Sequence, residues 1–297
     1  MQDKHVETLA MASSDAGSIP AASIDRHYIM RNFYILFITL LFIFPSNLFA
    51  VDKSEEINKF DIIVLDPGHG GKDWGAKGTT TGLKEKDVVL DVAKILERKL
   101  EKKMGVSVYL TRTGDYFVPL KDRTAIANNH TADLFISIHT NAAFREGASG
   151  FEAFILSNQA SDKAAEAVAR SENQVIELEN IPPDDKDNLN TLLWSLAQNQ
   201  YLEESCQLCD IMQKEYSKTL NVPNRGIKQA PLYVLYGATM PAVLIEIGFL
   251  TNRIEEEKLS TDDYKETIAD IIYRSIFTYK EDYYNKKMFH WNQTKSH

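Results

Sequence analysis

The sequence predicts an α/β fold: one domain on a mostly parallel central sheet flanked by helices, plus an all-helical insertion. Three observations carry this. The apolar runs Ile62-Ile63-Val64-Leu65, Phe135-Ile136-Ser137-Ile138 and Val243-Leu244-Ile245 each read as a strand buried on both faces, as in a parallel sheet covered by helices. Strand and helix patterns alternate through the first half of the domain, the signature of such a sheet. A long stretch, Asp162 to Leu220, then shows helical spacing only.

In chain order, Met30-Arg31-Asn32 precedes an almost unbroken apolar stretch, Phe33 to Phe44, and then Pro45-Ser46-Asn47-Leu48-Phe49-Ala50. A basic start, an apolar centre and a small residue before a polar segment match a secretory signal. The apolar stretch falls short of the roughly 20 residues that span a bilayer. Cleavage after Ala50 is the expectation; Leu48 is a weaker residue than Ala for that site, and an uncleaved membrane anchor is the competing reading. We read translation as starting at Met30. Residues 51–59 are a charged linker.

After the first strand, Val88, Val89, Val92, Ile95, Leu96 and Leu100 recur at helical spacing and Gly105 ends the helix. Val106 to Leu110 is the next strand, Leu120 to Asn128 a short helix carrying Arg123, then Leu134 to Ile138 and Phe151 to Leu156 are strands. The insertion reads as helices over Ala164–Val175, Leu189–Gln200 and Glu203–Leu220, broken by Pro182-Pro183-Asp184-Asp185 and riding on the sheet. Leu232–Leu235 and Ala242–Ile247 resume strand character. Ser260-Thr261-Asp262-Asp263 opens a final helix to about Tyr279, and residues 280–297 read as a polar tail.

A chain of 297 residues, 44% hydrophobic and 25% charged, has an ordinary globular balance. The net charge of −9 argues against a nucleic-acid partner, which needs clustered Lys and Arg. Small-molecule, peptide or glycan substrates remain, and we expect a monomer. The two cysteines, Cys206 and Cys209, form a C-x-x-C that would suit a redox pair or half a metal site. Their helical setting favours small apolar fillers on one face.

The chemistry lies at the ends of the buried strands, where open α/β sheets place ligands. His69 follows Asp66-Pro67-Gly68 and precedes Gly70-Gly71, and His139 precedes Thr140-Asn141. Either alone reads as an ordinary loop or core histidine; together they point to a metal. A catalytic zinc takes about three protein ligands and keeps one open position. Glu85, opening a helix after a Gly/Thr-rich loop, is the chosen third ligand; a first-turn acid favoured by the helix dipole is the alternative. Glu246 lies between Ile245 and Ile247, where an unpaired carboxylate costs several kcal/mol. Its alternative is a buried salt bridge with Arg112 or Arg123.

The blocks Asp66-Pro67-Gly68-His69-Gly70-Gly71, Glu85, Ser137-Ile138-His139-Thr140-Asn141, and Glu246 before Gly248-Phe249-Leu250-Thr251-Asn252 resemble the zinc-dependent N-acetylmuramoyl-L-alanine amidases, which are bacterial cell-wall hydrolases. The resemblance runs in unbroken order over roughly residues 60 to 278. It implies one zinc held by His69, Glu85 and His139, with Glu246 as the catalytic carboxylate. It also implies an α/β fold, and cleavage of the amide joining N-acetylmuramic acid to L-alanine in peptidoglycan. Residues 60–279 would then be the catalytic domain, with the insertion at about 172–220. The protein would be exported, in the periplasm or outside the cell at the wall. Asn141, Arg112 and Arg123 stand in family-like positions that suit substrate binding or, for the arginines, structural roles.

Members that separate daughter cells carry a similar insertion. In those the resemblance implies a helix over the active site that places an acid on the zinc until an activator protein with a zinc-metallopeptidase-like fold displaces it. Glu172 is the candidate occluding ligand, with Glu177 and Glu179 behind it; a solvated helix face is the alternative. Two further readings stand beside this one, a zinc carboxypeptidase trimming stem peptides and a catalytically silent wall-binding protein.

Overall fold

The computed structural model describes residues 59–142, 147–178 and 188–294. The predicted leader, nearly all of the linker and Glu179 lie outside them. Six strands form one sheet in the order β2-β1-β3-β6-β4-β5. They are β1 (Ile62–Pro67), β2 (Ser107–Leu110), β3 (Leu134–Asn141), β4 (Phe151–Leu156), β5 (Asn224–Ala230) and β6 (Ala242–Phe249). Strands β2, β1, β3 and β6 run parallel; β4 pairs antiparallel to β6, and β5 runs parallel to β4. The predicted mostly parallel sheet of a single α/β domain is therefore present.

The helices are α1 (Glu85–Met104), α2 (Leu120–Asn129), α3 (Lys163–Asn173), α4 (Asn188–Thr219), α5 (Arg253–Leu259) and α6 (Asp262–Thr294). Because side chains alternate along a strand, each central strand feeds two cores. Ile63, Leu65, Ile136, Ile138, Val243 and Ile245 meet α1, α6 and the second half of α4. Val64, Phe135, Leu244 and Phe154 meet α2, α3 and the segment Leu232–Leu235. Each fully buried aliphatic side chain here contributes about 1.5–3 kcal/mol. Asp66, Ser137, His139, Glu246 and Glu152 fall, by the same alternation, on the α2/α3 face. Polar chemistry is thus confined to one face, under α3.

Several boundaries differ from the sequence reading. Leu232–Leu235 is not a strand: Tyr233–Leu235 forms a 3-10 turn, and the strand is β5, eight residues earlier in start. The edge position of β5 explains the miss, since only Lys228 and Ala230 in it are buried. The two expected helices at 189–200 and 203–220 are one, α4. Its second half does not ride on the sheet; Leu208, Cys209, Met212 and Tyr216 belong to the core. The expected tail from residue 280 is helical to Thr294, because Tyr283 and Tyr284 pack on the core and Tyr284 accepts the Phe60 N–H. Both cysteines are free and Cys209 is buried, as apolar fillers would be. Among the described residues no helix is long and apolar enough to cross a membrane.

Candidate metal centre

Strand β3 places His139 directly beside Glu246 of β6, at the carboxyl end of both strands. The turn after β1 brings His69 over the same edge, its ring centroid 4.8 Å from that of His139. Glu85, the first residue of α1, and Glu172, near the end of α3, complete the cluster: the ligand atoms of His69, Glu85, His139 and Glu172 all lie within 4.8 Å of one another. His139 Nδ1 is 3.0 Å from Glu85 Oε1 and 2.9 Å from Glu172 Oε2. His69 Nε2 is 3.1 Å from Glu85 Oε2 and 3.4 Å from Glu172 Oε2, yet it is buried without an aligned hydrogen bond.

The other ring nitrogen of His69 faces Asp73 Oδ2 at 2.8 Å. If that Nδ1 carries the hydrogen, Nε2 presents a lone pair to the cluster, the arrangement in which a carboxylate orients a ligating histidine. Two imidazole nitrogens and a carboxylate, with one unpartnered nitrogen aimed inward, fit a divalent cation of the zinc type. The backbone packs so closely on the cluster that only glycine fits at two positions. A Cβ at Gly75 would lie 2.4 Å from Glu85 Oε2 and 2.5 Å from His69 Cδ2, and one at Gly68 would strike the His139 ring at 2.3 Å.

Glu85 is fixed as an anion by accepting from the Ala76 N–H at 2.7 Å and the Thr140 N–H at 2.8 Å. Burial opposes its charge, but His69 and His139 hold its carboxyl well below the usual range. Burial would likewise lower the imidazoles; instead Glu85, Glu172 and Asp73 raise His69 to about 10, and Glu172 and Glu85 raise His139 well above its usual value. The carboxylates of Glu85 and Glu172 concentrate negative charge around the two imidazoles, which favours a cation there. Glu246 is the reverse: burial, then Glu172, Glu85 and Glu152, push its carboxyl well up, and neither oxygen has a hydrogen-bond partner among the described residues.

The arginines do not reach Glu246. Arg112 donates to the carbonyls of Pro67, Gly68, Lys86 and Gly114, and Arg123 pairs with Asp66 at 2.8 Å and donates to the carbonyls of Val118, Pro67 and His69. Both are buried. Their guanidinium groups lock the turn that carries His69, contacts of the structural kind that was one of the two roles expected for them. Asn141 does line a cavity of about 600 Å³ beside the cluster.

Two acids escaped the sequence reading. Asp73 stands in an aperiodic loop; its spacing of four from His69 was the available signal. Glu256 accepts from the N–H groups of Thr80, Thr81 and Gly82 and from the Thr81 hydroxyl, fixing the loop that leads to Glu85.

Fold and cluster together define an α/β protein with an imidazole–carboxylate site at the sheet edge, able to hold a divalent cation. The family model for N-acetylmuramoyl-L-alanine amidases matches residues 63–278. The N-acetylmuramoyl-L-alanine amidase AmiA of Escherichia coli is 36% identical over 255 residues, 85% of this chain and 84% of that one. An N-acetylmuramoyl-L-alanine amidase of known structure from Clostridium difficile is 30% identical, with a TM-score of 0.57 over 74% of this chain and 97% of its own. The CwlD amidase of Clostridioides difficile, solved in complex with the GerS lipoprotein, is 27% identical, with a TM-score of 0.56 over 74% of this chain and 98% of its own. The chain belongs to the N-acetylmuramoyl-L-alanine amidase family and is an amidase of peptidoglycan.

Proposed function

We propose that this amidase is an exported zinc enzyme, with His69, Glu85 and His139 as the ligands, Glu246 as the proton carrier and α3 as an inhibitory lid. The observation that carries the reading is the convergence of three ligand atoms beside a buried, unpartnered carboxylate one strand away. Zinc, when bound, would polarise the amide carbonyl and lower the pKa of water. Glu246 takes the proton of the attacking water and returns it to the leaving nitrogen, first base and then acid. Asp73 keeps His69 in the ligating tautomer.

Glu172 occupies the position that water and substrate need. Helix α3 is seated at both ends: Asp162 caps it through the Ala165 N–H and faces Lys228 at 3.3 Å, while Asn173 donates to the Pro231 carbonyl and accepts from the Tyr233 N–H. Opening therefore calls for a partner, a reading supported by the CwlD amidase having been solved in complex with a lipoprotein. The leader-like stretch Phe33–Phe44 supports export to the wall.

Digestion of purified peptidoglycan tests the chemistry. The zinc-loaded chain should release stem peptides with new L-alanine amino termini, and chelation should abolish this. Shortened stems still attached to glycan would replace the amidase by the carboxypeptidase reading.

A further inference from the structure

We propose that the cavity beside the cluster is a carboxylate subsite, in which Arg225 receives a free carboxylate on the peptide arm of the substrate; this rests on the amidase reading. Between Phe151 and Ala153 of β4 the register with β5 shifts, so that Glu152 faces both Arg225 and Gly226. Such a bulge re-aims a side chain. Here it lays Arg225 along the cavity wall, its guanidinium carbon 5.0 Å from the Phe249 ring centroid and its Nε donating to Glu152 Oε1. The guanidinium is ion-paired with Glu152 through Nε, and its two terminal nitrogens make no hydrogen bond among the described residues, which leaves donors for a second carboxylate.

The pocket is built to hold that cation. Glu152 is 1% exposed, and its Oε2 has no hydrogen-bond partner among the described residues, so its buried charge rests on the cations beside it. Lys228 stands 3.8 Å behind Glu152, and Lys163 lines the same cavity. The closed cavity thus sets Arg225 and Lys163 against Glu152 and Glu172, and lifting α3 would take Lys163 and Glu172 away and leave Arg225 and Lys228 facing Glu152 alone.

Charge also decides which arm lies here. A second cavity, of about 380 Å³, opens on the other side of Glu172 and is lined by Asp73 and Glu85. Among the described residues, no lysine or arginine lines that second cavity to receive an anion. The peptide arm of peptidoglycan continues from L-alanine to a glutamate joined through its side chain, whose α-carboxylate is free in some walls and amidated in others. Arg225 and Glu152 sit on strands, so these two side chains stay in place when α3, which lines the rest of the closed cavity, lifts.

The test compares L-alanyl-γ-D-glutamate with its α-amide by calorimetry, on zinc-loaded chain carrying Glu172→Ala. The acid should bind about tenfold more tightly. Adding Arg225→Gln should bring the two within about threefold, and Arg225→Lys should fall between, with circular dichroism confirming the fold. Equal binding in the Arg225 protein, no binding of either peptide, or an undiminished preference after Arg225→Gln would overturn the subsite. Turnover of free and amidated peptidoglycan is read alongside. Failure to cut either refutes the amidase reading even where the binding preference stands, whereas cutting both with equal peptide binding refutes only the subsite.

Discussion

His69 adopts φ 61°, an uncommon conformation for a non-glycine residue. The strain is sustained because Arg123 holds its carbonyl and Asp73 its ring. Asp73→Asn keeps the shape but loses the charge that orients the imidazole, so zinc affinity should fall about 10–100-fold in a chelator competition. Glu246→Gln should instead retain stoichiometric zinc while turnover drops about 10²-fold or more; near-normal turnover would remove Glu246 from the mechanism. The four residues His69, Glu85, His139 and Glu246 were legible because each interrupts or ends a pattern otherwise set by burial. Asp73 was not, since a loop has no period for a functional residue to break.

At the scale of elements, α3 contributes a single carboxylate to the cluster but covers the cleft with its length. Glu172→Ala should raise peptidoglycan cleavage by about tenfold, the factor expected from losing a charged contact on the order of 1.5 kcal/mol. Deleting residues 172–200 behind a short Gly/Ser bridge should raise it further; well-folded variants no faster than the parent would end the lid reading. The structure recommends stopping at residue 200, because Leu208, Cys209, Met212 and Tyr216 of α4 hold up the sheet. The insertion was legible as helical from spacing alone. That its second half is core was not, because apolar spacing on a helix does not say which layer it faces.

Across the whole molecule, the parallel sheet and its double core follow from apolar runs without alternation, and were readable. The reversal of β4 and β5 was not, since strand direction depends on connections through the helical stretch. Long-range acids bind the halves together. Burial opposes the charge of Glu256, but the Thr81 hydroxyl and the Thr80 and Thr81 N–H groups lower its carboxyl from 4.5 to about 2. A depressed folded pKa adds stability that is present above the unfolded value and lost as pH falls. Urea midpoints should therefore decline between about pH 4.5 and about 2, and Glu256→Gln should flatten that decline; an unchanged slope would show that these bonds do not stabilise the fold.

Glu256 also sets an order of events. Its bond to the Thr81 N–H spans 175 residues, and Glu246, the partner of His139, arrives almost as late. A chain emerging amino end first therefore exposes His69, Glu85 and His139 long before the loop that aims Glu85 can be fastened. Assembly of the proposed site waits for the last strand and the helix after it, so a nascent or carboxy-terminally truncated chain carries the candidate ligands before the elements that bring them together with Glu246.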